Sequence, residues 1–478
     1  MKQPAYFERR TKIVCTIGPS TGTASIIERL IRRGMNISRL NLSHGTHDIH
    51  YQYIRTLKKI SQRLGMKLAI LMDLPGSKYR IGTLNNGHVV LKNGALVILT
   101  TRDIEGDAVA VPVNLPNLPQ DVKIGDTILL DDGAMQLRVI GKNDNEVKCR
   151  VTVGGVLTER RGLVVPGMRT SGPFVTDALR EHITFAVQQK PDYLAISFVS
   201  SAEDIFAVRA VLCEHKTDIP VISKIERAEA VKDFDDILSV SDGIMVARGD
   251  LGVDIPLERV PWIQKEIIHK CNRAGKPVIT ATQMLESMVN AASPTRAEVT
   301  DVANAIFDGT DATMLSAETS VGKYPIQAVR TMARIAVETE KKLPYEHLIA
   351  ERGGWIECKT DEIISYSACH VADCLGAVAI VAFTKSGSTA RRVSKYRPRV
   401  PILAITPSDL ISGRLLLHWG VYPLQIGPAS TVDELFSIGA KLAKETGLAK
   451  TDDLIVITGG VPIGVTGATN LLKVERID

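Results

Sequence analysis

The sequence has no Cys-x-x-Cys pair, which is the first feature that excludes a class of chemistry. The chain of 478 residues contains seven cysteines, odd in number and scattered along its length. Structural zinc sites and dithiol redox sites use closely spaced pairs, so the sequence indicates neither. The seven residues are Cys15, Cys149, Cys213, Cys271, Cys358, Cys369 and Cys374. We expect buried thiols in a reducing compartment.

Long apolar runs and a strong excess of one charge are also absent. Residues 1–10 lack the apolar core of a signal peptide, and no stretch approaches the roughly 18 uncharged apolar residues of a membrane span. The net charge is only +5, from 58 basic and 53 acidic residues. That balance does not favour a nucleic-acid partner and fits small anionic substrates equally well. We therefore predict a cytoplasmic protein without a membrane or nucleic-acid partner.

Short β-branched apolar runs alternate with segments of helical period, a pattern typical of parallel βα units. The strand candidates are residues 12–18, 37–43, 68–74, 193–198, 221–224, 243–247, 277–282 and 312–316. Eight units predict an α/β fold with a (β/α)8 TIM barrel, whose active site lies at the carboxyl ends of the strands. An open doubly wound sheet is the main alternative, but it would not bring the first and last strands together.

Two further regions interrupt and follow this series. Between residues 76 and 166, short strands separated by turn signals predict an inserted all-β lid domain. Its place after the third strand suits a lid that excludes water, and a passive insertion is the alternative. A second βα series predicts an open α/β regulatory domain over residues 344–478. The barrel then comprises residues 1–75 and 167–343.

Two consecutive strands end in charged residues. Lys224 and Glu226 share one face of an extended segment, because side chains alternate with period two, and the next strand ends at Asp250. Carboxylates bind Mg²⁺, while an ammonium neutralises the charge of a transferring phosphoryl group. The cluster indicates phosphoryl chemistry on a divalent metal, and a structural ion pair is the alternative.

The second strand carries a related pattern. Arg39, Asn41 and Ser43 share one of its faces, and a guanidinium beside two neutral oxygen ligands suits a phosphate and a monovalent cation. An ordinary polar strand end is the alternative. Other polar residues at predicted strand ends are His44, Asp73, Thr282, Gln283, Ser316 and Glu318.

Longer runs of sequence carry a resemblance to a known family. They are TKIVCTIGPS (11–20), RLNLSHG (39–45), SKIE (223–226), MVARGDLG (245–252), ITATQM (279–284), PTRAE (294–298) and DGTDATMLSAET (308–319). In this order, and over nearly the whole chain, they resemble the pyruvate kinases. The resemblance implies transfer of the phosphoryl group of phosphoenolpyruvate to ADP in the last step of glycolysis, giving ATP and pyruvate, with Mg²⁺ or Mn²⁺ as cofactor.

Two other functions stay open on the sequence alone. One is a catalytically weakened paralog that binds phosphosugars in a regulatory role. The other, less favoured, is a barrel lyase that uses the same metal and enolate chemistry without a nucleotide.

The resemblance also implies roles for the matching residues. Glu226 and Asp250 would hold the divalent metal, and Lys224 would stabilise the phosphoryl group and the enolate left behind. Thr282 and Ser316 would lie where the enolate gains its proton. The implied substrate-binding set is Arg39, Lys224, Ala247, Arg248, Gly249, Asp250 and Thr282, with backbone N–H groups around Gly249 facing the substrate carboxylate. The candidate nucleotide contacts are Asn41, His44 and Arg80.

One departure from the family pattern concerns monovalent cations. Lys78 stands where members that need K⁺ carry glutamate, and its fixed ammonium can supply the charge of a bound K⁺. We therefore expect activity without K⁺, with Lys78 in place of an ion. The implied cation site comprises Asn41, Ser43, Asp73 and Leu74.

A second departure lies at the return from the lid. The family carries there a lysine that reaches the nucleotide phosphates, and this sequence lacks it near Ala178. Arg169 and Arg180 are the candidates to replace it. Pro75 and Ser77 also depart from the family pattern, at the entry into the lid.

A hydroxyl-rich turn in the last domain is the predicted effector site. It comprises Thr384, Lys385, Ser386, Gly387, Ser388 and Thr389, and its N–H and hydroxyl groups suit a phosphate. The family binds a phosphorylated activator there, and a plain βα turn with N-caps is the alternative. Residues 459–467 lack the residues of a fructose bisphosphate clamp, so we expect a sugar monophosphate or AMP. The family's usual state also implies a homotetramer.

Overall fold

A computed structural model describes residues 7–76, 79–168, 171–427, 431–463 and 467–478. The strands are β1 (Lys12–Thr16), β2 (Ile37–Asn41), β3 (Ala69–Leu74), β4 (His88–Leu91), β5 (Leu96–Thr100), β6 (Ala110–Pro112), β7 (Thr127–Leu130), β8 (Met135–Lys142), β9 (Glu146–Val153), β10 (Gly155–Thr158), β11 (Leu163–Val164), β12 (Tyr193–Ile196), β13 (Val221–Ile225), β14 (Gly243–Ala247), β15 (Val278–Ala281), β16 (Ala312–Leu315), β17 (Ala379–Phe383), β18 (Ile402–Thr406), β19 (Val421–Gln425), β20 (Leu454–Gly459) and β21 (Leu471–Arg476).

The helices are α1 (Ala24–Arg33), α2 (His47–Leu64), α3 (Leu118–Asp121), α4 (Asp177–Gln189), α5 (Ala202–Glu214), α6 (Ala228–Lys232), α7 (Phe234–Val240), α8 (Arg248–Asp254), α9 (Val260–Ala274), α10 (Arg296–Asp308), α11 (Ala317–Ser320), α12 (Pro325–Glu340), α13 (Tyr345–Gly353), α14 (Thr360–Cys374), α15 (Ser388–Lys395), α16 (Asp409–Leu415) and α17 (Val432–Glu445). Short 3₁₀ helices cover Asn85–Gly87, Leu257–Arg259 and Glu286–Val289.

Eight parallel strands close into a barrel in the order β1-β16-β15-β14-β13-β12-β3-β2. The first and last barrel strands pair directly, with Lys12 opposite Ala312, so the open-sheet alternative was wrong. Along β1, Val14 packs in the barrel interior, whereas Ile13 and Cys15 belong to the core shared with the outer helices. This alternation, predicted from period two, directs every second side chain of a strand into the barrel.

The amino-terminal end of the barrel is closed by the last part of the chain. Leu416 and Leu417, which follow α16, pack in one cluster with interior residues such as Ile222 and Met245. The Tyr193 hydroxyl donates to the carbonyl of Arg414 at the same end. Apolar side chains therefore fill the barrel interior at its amino-terminal end.

The insertion after β3 has its own sheets and its own core. Its strands form a six-stranded sheet, β11-β7-β8-β9-β5-β6, and a two-stranded sheet, β10-β4. Buried residues such as Val97, Leu137 and Val151 fill the space within it. The prediction of an all-β insertion holds except for the single turn of α3 and the 3₁₀ helix Asn85–Gly87.

The last domain is an open five-stranded sheet of order β19-β18-β17-β20-β21, in which only β21 runs antiparallel to its neighbour. Helices α14, α15 and α17 pack on the sheet. The predicted (β/α)8 barrel, inserted β domain and carboxy-terminal α/β domain are all present.

The expectation that all cysteines are buried was wrong for three of the seven. Cys213, Cys358 and Cys374 are exposed, the other four are buried, and all seven are free thiols. Cys213 and Cys374 lie at the ends of α5 and α14, and Cys358 lies in the loop before α14, where a side chain need not face a core. In the described part of the chain, no helix combines the length and apolarity that crossing a bilayer demands.

Candidate active site

Charged side chains from β2, β3 and β13 meet at the carboxyl end of the barrel. Lys224 Nζ lies 2.9 Å from Glu226 Oε1 and 3.4 Å from Asp73 Oδ1. The guanidinium of Arg39 contacts the other oxygen of Asp73, with Nε and one terminal nitrogen each at 2.7 Å. Cations and carboxylates thus alternate in a chain of four buried groups, Arg39, Asp73, Lys224 and Glu226.

The mutual charges determine the protonation of Asp73 and Lys224. Burial alone would raise the pKa of Asp73, but Lys224 and Arg39 lower it below its usual range. Burial also works against the charged form of Lys224, but Asp73 and Glu226 together raise its pKa above the ordinary value. Near neutral pH the site therefore holds a carboxylate and an ammonium in contact.

Glu226 has the properties of a metal ligand. Burial raises its pKa, Lys224 lowers it and the nearby charge of Asp250 raises it again, with a net increase. Its Oε2 accepts the N–H of Phe198 at 2.7 Å, whereas within the described ranges the buried Oε1 has no well-oriented hydrogen bond and only the ion pair with Lys224. Glu226 lies near a second carboxylate, Asp250, as well as beside Lys224, and neighbouring carboxylate oxygens are ligands that a divalent cation prefers. The pair therefore fits Mg²⁺ or Mn²⁺.

The protein itself supplies only part of a metal coordination shell. Across the described ranges, no group of three or more His, Cys, Asp or Glu side chains is arranged to hold a metal ion. An ion at Glu226 and Asp250 would take its other oxygens from a substrate or water, as Mg²⁺ commonly does. Such an arrangement suits a metal that binds together with a phosphorylated substrate.

A hydroxyl that the sequence analysis missed positions the lysine. Lys224 Nζ donates to Ser197 Oγ at 2.8 Å, and this hydroxyl lies 3.0 Å from the carbonyl oxygen of Leu74, to which it donates. Side chains alternate along the fourth barrel strand, so Tyr193, Ala195 and Ser197 face the same side. This alternation alone could have predicted that Ser197 belongs to the site.

A second missed hydroxyl holds the arginine. Arg39 donates from one terminal nitrogen to Thr16 Oγ1 at 3.0 Å. Thr16 is the last residue of β1, two positions after the interior residue Val14. The same alternation could have identified it as part of the site.

The turn after β15 is strained. Thr282 and Gln283 have positive φ angles of 68° and 54°, in the left-handed region that non-glycine residues rarely adopt. The N–H of Gly249 donates to Thr282 Oγ1 at 2.7 Å, and that hydroxyl donates to the carbonyl of Ala281 at 2.6 Å. Strain of this kind costs about 1–3 kcal/mol per residue and concentrates at functional sites.

The side chain of Arg248 stabilises this turn from behind. Its two terminal nitrogens contact the carboxylate of Asp301 at 2.7 and 2.6 Å, and one of them donates to the carbonyl of Thr282 at 2.9 Å. A guanidinium held in this way is not available to a substrate. Any substrate contact of Arg248 or of the neighbouring Ala247 is thus limited to the backbone.

Ser316 differs from Thr282 in having an unused hydroxyl. Its Oγ is buried and has no hydrogen-bond partner in the described part of the chain. The Ser316 N–H donates to Glu318 at 2.7 Å, and the other oxygen of Glu318 accepts from Leu285 at 3.1 Å. Burial raises the pKa of Glu318. Ser316 is therefore the hydroxyl with capacity for an additional hydrogen bond.

The candidate nucleotide contacts lie outside the buried cluster. His44 and Arg80 are exposed. Arg80 donates to the carbonyl of Arg160 at 2.9 Å, within the inserted domain. The amide oxygen of Asn41 accepts the N–H of Ser43 at 3.2 Å. The structure thus brings none of them against Lys224.

Several predicted residues are placed elsewhere or are not described. Arg180 pairs with Glu214 at 2.5 Å on the exposed outside of the barrel. Ser77, Lys78 and Arg169 lie outside the described residues.

The predicted effector turn has the expected local geometry. Gly387 has a φ of 86°, and helix α15 begins at the next residue. Ser386 Oγ donates to Ser388 Oγ at 3.2 Å, and Thr389 Oγ1 lies 2.8 Å from Thr469 Oγ1. The hydroxyl of Thr384 is buried without a hydrogen-bond partner in the described ranges.

Comparisons with known proteins agree with this geometry. The family model for the pyruvate kinase barrel domain matches residues 8–329, and that for the pyruvate kinase alpha/beta domain matches residues 362–475. A pyruvate kinase of Geobacillus stearothermophilus is 45% identical over 473 residues, which are 98% of this chain and 81% of that protein. A pyruvate kinase of Staphylococcus epidermidis is 44% identical over 471 residues, 98% of this chain and 80% of the relative.

A solved structure shows the same fold over the whole chain. The crystal structure of a pyruvate kinase from Cryptosporidium parvum superimposes with a TM-score of 0.94 at 36% identity, covering 99% of this chain and 97% of that one. The sequence and the architecture of this chain therefore both show that it belongs to the pyruvate kinase family.

Proposed function

We propose that the cluster at the barrel mouth transfers the phosphoryl group of phosphoenolpyruvate to ADP, giving ATP and pyruvate. The observation that carries this proposal is the buried alternating chain of Arg39, Asp73, Lys224 and Glu226. This cluster places the positive charges of Arg39 and Lys224 and the incompletely bonded carboxylate of Glu226 together at the barrel mouth. Little covalent chemistry is asked of a protein in phosphoryl transfer, so positioned charge is the main requirement.

The reacting bonds define what each group does. An oxygen of the ADP β-phosphate attacks phosphorus as the bond from phosphorus to the enol oxygen breaks. Lys224 stabilises the charge that moves onto the enol oxygen, and Arg39 holds the phosphoryl oxygens. Glu226 and Asp250 would hold the divalent metal, which would supply positive charge to the phosphoryl oxygens.

Proton delivery to the enolate completes the reaction. The enolate carbon must gain a proton to become the methyl group of pyruvate. The Thr282 hydroxyl already donates to Ala281, whereas the Ser316 hydroxyl is buried and unbonded in the described ranges. We infer that Ser316 orders the water that gives the proton, and that Thr282 and the backbone from Ala247 to Asp250 hold the substrate carboxylate.

Activity without K⁺ is part of the proposal. Both carboxylate oxygens of Asp73 are engaged by Arg39 and Lys224, and the carbonyl of Leu74 accepts from Ser197. These contacts leave fewer free oxygen ligands for a cation at Asn41, Ser43, Asp73 and Leu74. This supports the expectation, based on Lys78, that the protein is active without K⁺. A steady-state assay in K⁺-free buffer tests it: we expect less than a twofold change in kcat on adding K⁺.

The remaining assignments are proposals of the same kind. Nucleotide contacts fall to Asn41, His44 and Arg80 at the entrance to the site. A sugar monophosphate or AMP binds the turn 384–389, and four chains assemble into a tetramer. We divide the chain into the barrel (1–75 and 167–343), the lid (76–166) and the regulatory domain (344–478), and the separate core of the insertion supports that division.

The decisive test is pyruvate formation from phosphoenolpyruvate, ADP and Mg²⁺. We expect Lys224→Ala to lower kcat by at least about 10²–10³-fold, as for removal of a buried electrostatic stabiliser. Wild-type turnover no higher than that of the variant would instead support the weakened paralog. Turnover of phosphoenolpyruvate that needs no ADP would support a lyase.

The proton step has a separate readout. Exchange of the methyl protons of pyruvate with deuterated water reports enolisation without a full turnover. We expect Ser316→Ala to slow this exchange about tenfold or more, while Thr282→Ser leaves it nearly unchanged. Equal exchange rates in Ser316→Ala and the wild type would remove Ser316 from the proton path.

A further inference from the structure

A cavity of about 410 Å³ lies at the closed end of the barrel, far from the strand ends that carry the active site. One wall is formed by residues 239–242 and 274–277, at the amino-terminal ends of β14 and β15. The opposite wall is formed by α14 and α15 of the carboxy-terminal domain. A ligand in this cavity would touch both domains at once.

Positive charge dominates the lining. It includes five cationic side chains, Arg209, Lys276, Arg391, Arg392 and Lys395, and two acidic ones, Asp242 and Glu362. The volume falls within the range of about 300–1,000 Å³ that small-molecule sites occupy. Size and charge together indicate a small anionic ligand.

Three of the cations already have partners. Arg209 contacts Asp242 at 2.7 Å, and Lys395 contacts Glu362 at 2.8 Å. Lys276 Nζ lies 2.6 and 2.8 Å from the carbonyl oxygens of Leu238 and Ser239. These contacts hold the two walls of the cavity in shape and leave the remaining arginines to be explained.

Arg391 and Arg392 carry the unused binding capacity. In the described part of the chain, the side chain of Arg391 makes no hydrogen bond or ion pair. Burial of His418, together with the nearby positive charge of Arg391, lowers the pKa of His418 to about 3. One terminal nitrogen of Arg392 pairs with Asp361 at 2.6 Å, but the other is buried without a hydrogen-bond partner. A buried guanidinium N–H without an acceptor is rare in proteins.

We propose that this cavity binds a phosphomonoester, with its phosphate oxygens on Arg391 and on the free nitrogen of Arg392. The planar fork of a guanidinium matches phosphate geometry, and two adjacent forks supply several charge-assisted donors. The site is separate from the effector turn 384–389, although Ser388 lines the cavity as well. Because the ligand contacts barrel and carboxy-terminal domain together, its binding strengthens their association.

Calorimetric titration of the full-length protein tests this proposal without requiring turnover. The probes are inorganic phosphate, glucose 6-phosphate and AMP, which separate phosphate alone from the sugar and nucleotide esters. We expect Arg391→Gln to weaken binding of at least one ester about tenfold or more, while Thr384→Val in the effector turn retains that binding event. Lys441→Gln is the matched control, since it removes one charge from an exposed site on α17 of the same domain.

Circular dichroism of each variant verifies that its fold is intact, so lost binding is not lost structure. An affinity of Arg391→Gln within twofold of Lys441→Gln overturns the proposal, as does the absence of binding by the wild type for all three probes. Loss of all binding in Thr384→Val, with none lost in Arg391→Gln, also overturns it, because the turn would then hold the only site. Since the readout is binding, a failure here is distinct from a failure of the proposed kinase activity.

Discussion

At the scale of single residues, the site depends on hydroxyls as much as on charges. Ser197 accepts from Lys224 and donates to Leu74, and so links the lysine to the backbone of a neighbouring strand. An ammonium on a four-carbon stem has many rotamers, and this contact selects one of them. Ser197 therefore positions Lys224 but does not take part in bond breaking.

We expect Ser197→Ala to lower kcat about twofold to tenfold, because one hydrogen bond contributes about 0.5–1.5 kcal/mol. Thr300→Ala is the control, since it removes an exposed hydroxyl on α10 that donates only to the carbonyl of Arg296. Steady-state kinetics of both variants measure the effect. Equal losses in the two would show that Ser197 has no special role.

A second residue-scale prediction concerns pH. Burial raises the pKa of Asp192 from its ordinary 3.8 to about 6, although the N–H of Ile70 donates to its carboxylate at 2.7 Å. The folded protein then binds the proton more tightly than the unfolded chain, so stability falls as pH rises from about 4 to about 6 and stays lower above that. Because Asp192 keeps some exposed surface, we expect a penalty of about 1–2 kcal/mol at neutral pH.

Asp192→Asn removes this penalty, since the amide is neutral and its oxygen can still accept from Ile70. We expect the Tm of the variant to exceed that of the wild type above pH 6 and to match it below pH 4, as measured by thermal unfolding across that range. Asp218→Asn, at an exposed carboxylate, serves as the control. A Tm difference that does not depend on pH would contradict the assignment.

At the scale of elements, the stem of the inserted domain, formed by residues 79–81 and 161–163, contacts Arg227 of the barrel. The guanidinium of Arg227 lies 5.5 Å from the ring centre of Tyr79 and 5.2 Å from that of Phe198. Tyr79 belongs to the inserted domain, whereas the N–H of Phe198 bonds to Glu226 in the active site. The arginine thus connects Tyr79 of the inserted domain to the residue whose N–H bonds Glu226.

We expect Arg227→Ala to loosen the stem, because two cation–π contacts are worth about 0.5–1 kcal/mol each. Amide hydrogen exchange around Ile81 and Leu163 should become roughly fivefold faster. Arg227→Lys keeps the charge and should lose less. Unchanged exchange in Arg227→Ala would show that the core of the insertion alone holds the stem.

At the scale of the whole molecule, one buried ion pair joins the barrel to the carboxy-terminal domain. Arg397 contacts Asp311 at 2.8 Å and donates to the carbonyl of Gly309 at 2.7 Å. The N–H of Trp419 donates to the same carboxylate oxygen at 3.1 Å. Docking of this domain closes the amino-terminal end of the barrel with Leu416 and Leu417. It also forms one wall of the cavity that we propose binds a phosphomonoester.

We expect Arg397→Ala to destabilise this junction by about 3–5 kcal/mol, because it leaves the carboxylate of Asp311 buried and unpaired. Differential scanning calorimetry should show a lower Tm and a separate transition for the carboxy-terminal domain. Arg399→Ala, at an exposed pair with Asp373, should change the Tm far less. A single transition of unchanged Tm in Arg397→Ala would contradict this account.

Local patterns were enough to predict the architecture. Period-two strands and helical segments identified all eight barrel strands, and turn signals marked the insertion, since both depend on neighbours in sequence. The same alternation grouped Lys224 with Glu226 and Arg39 with Asn41. The sequence alone therefore determined the (β/α)8 fold, the reaction class and most of the charged site.

Only the tertiary structure decided which of these groups meet. Lys224 and Asp73 are 151 positions apart and touch because the barrel closes, while Ser197 holds the lysine from a third strand. Closure also turned the side chain of Arg248 towards Asp301 and away from the site. Contacts between distant segments depend on how helices and strands pack. The periodicity within one strand or helix does not indicate which other element it will contact.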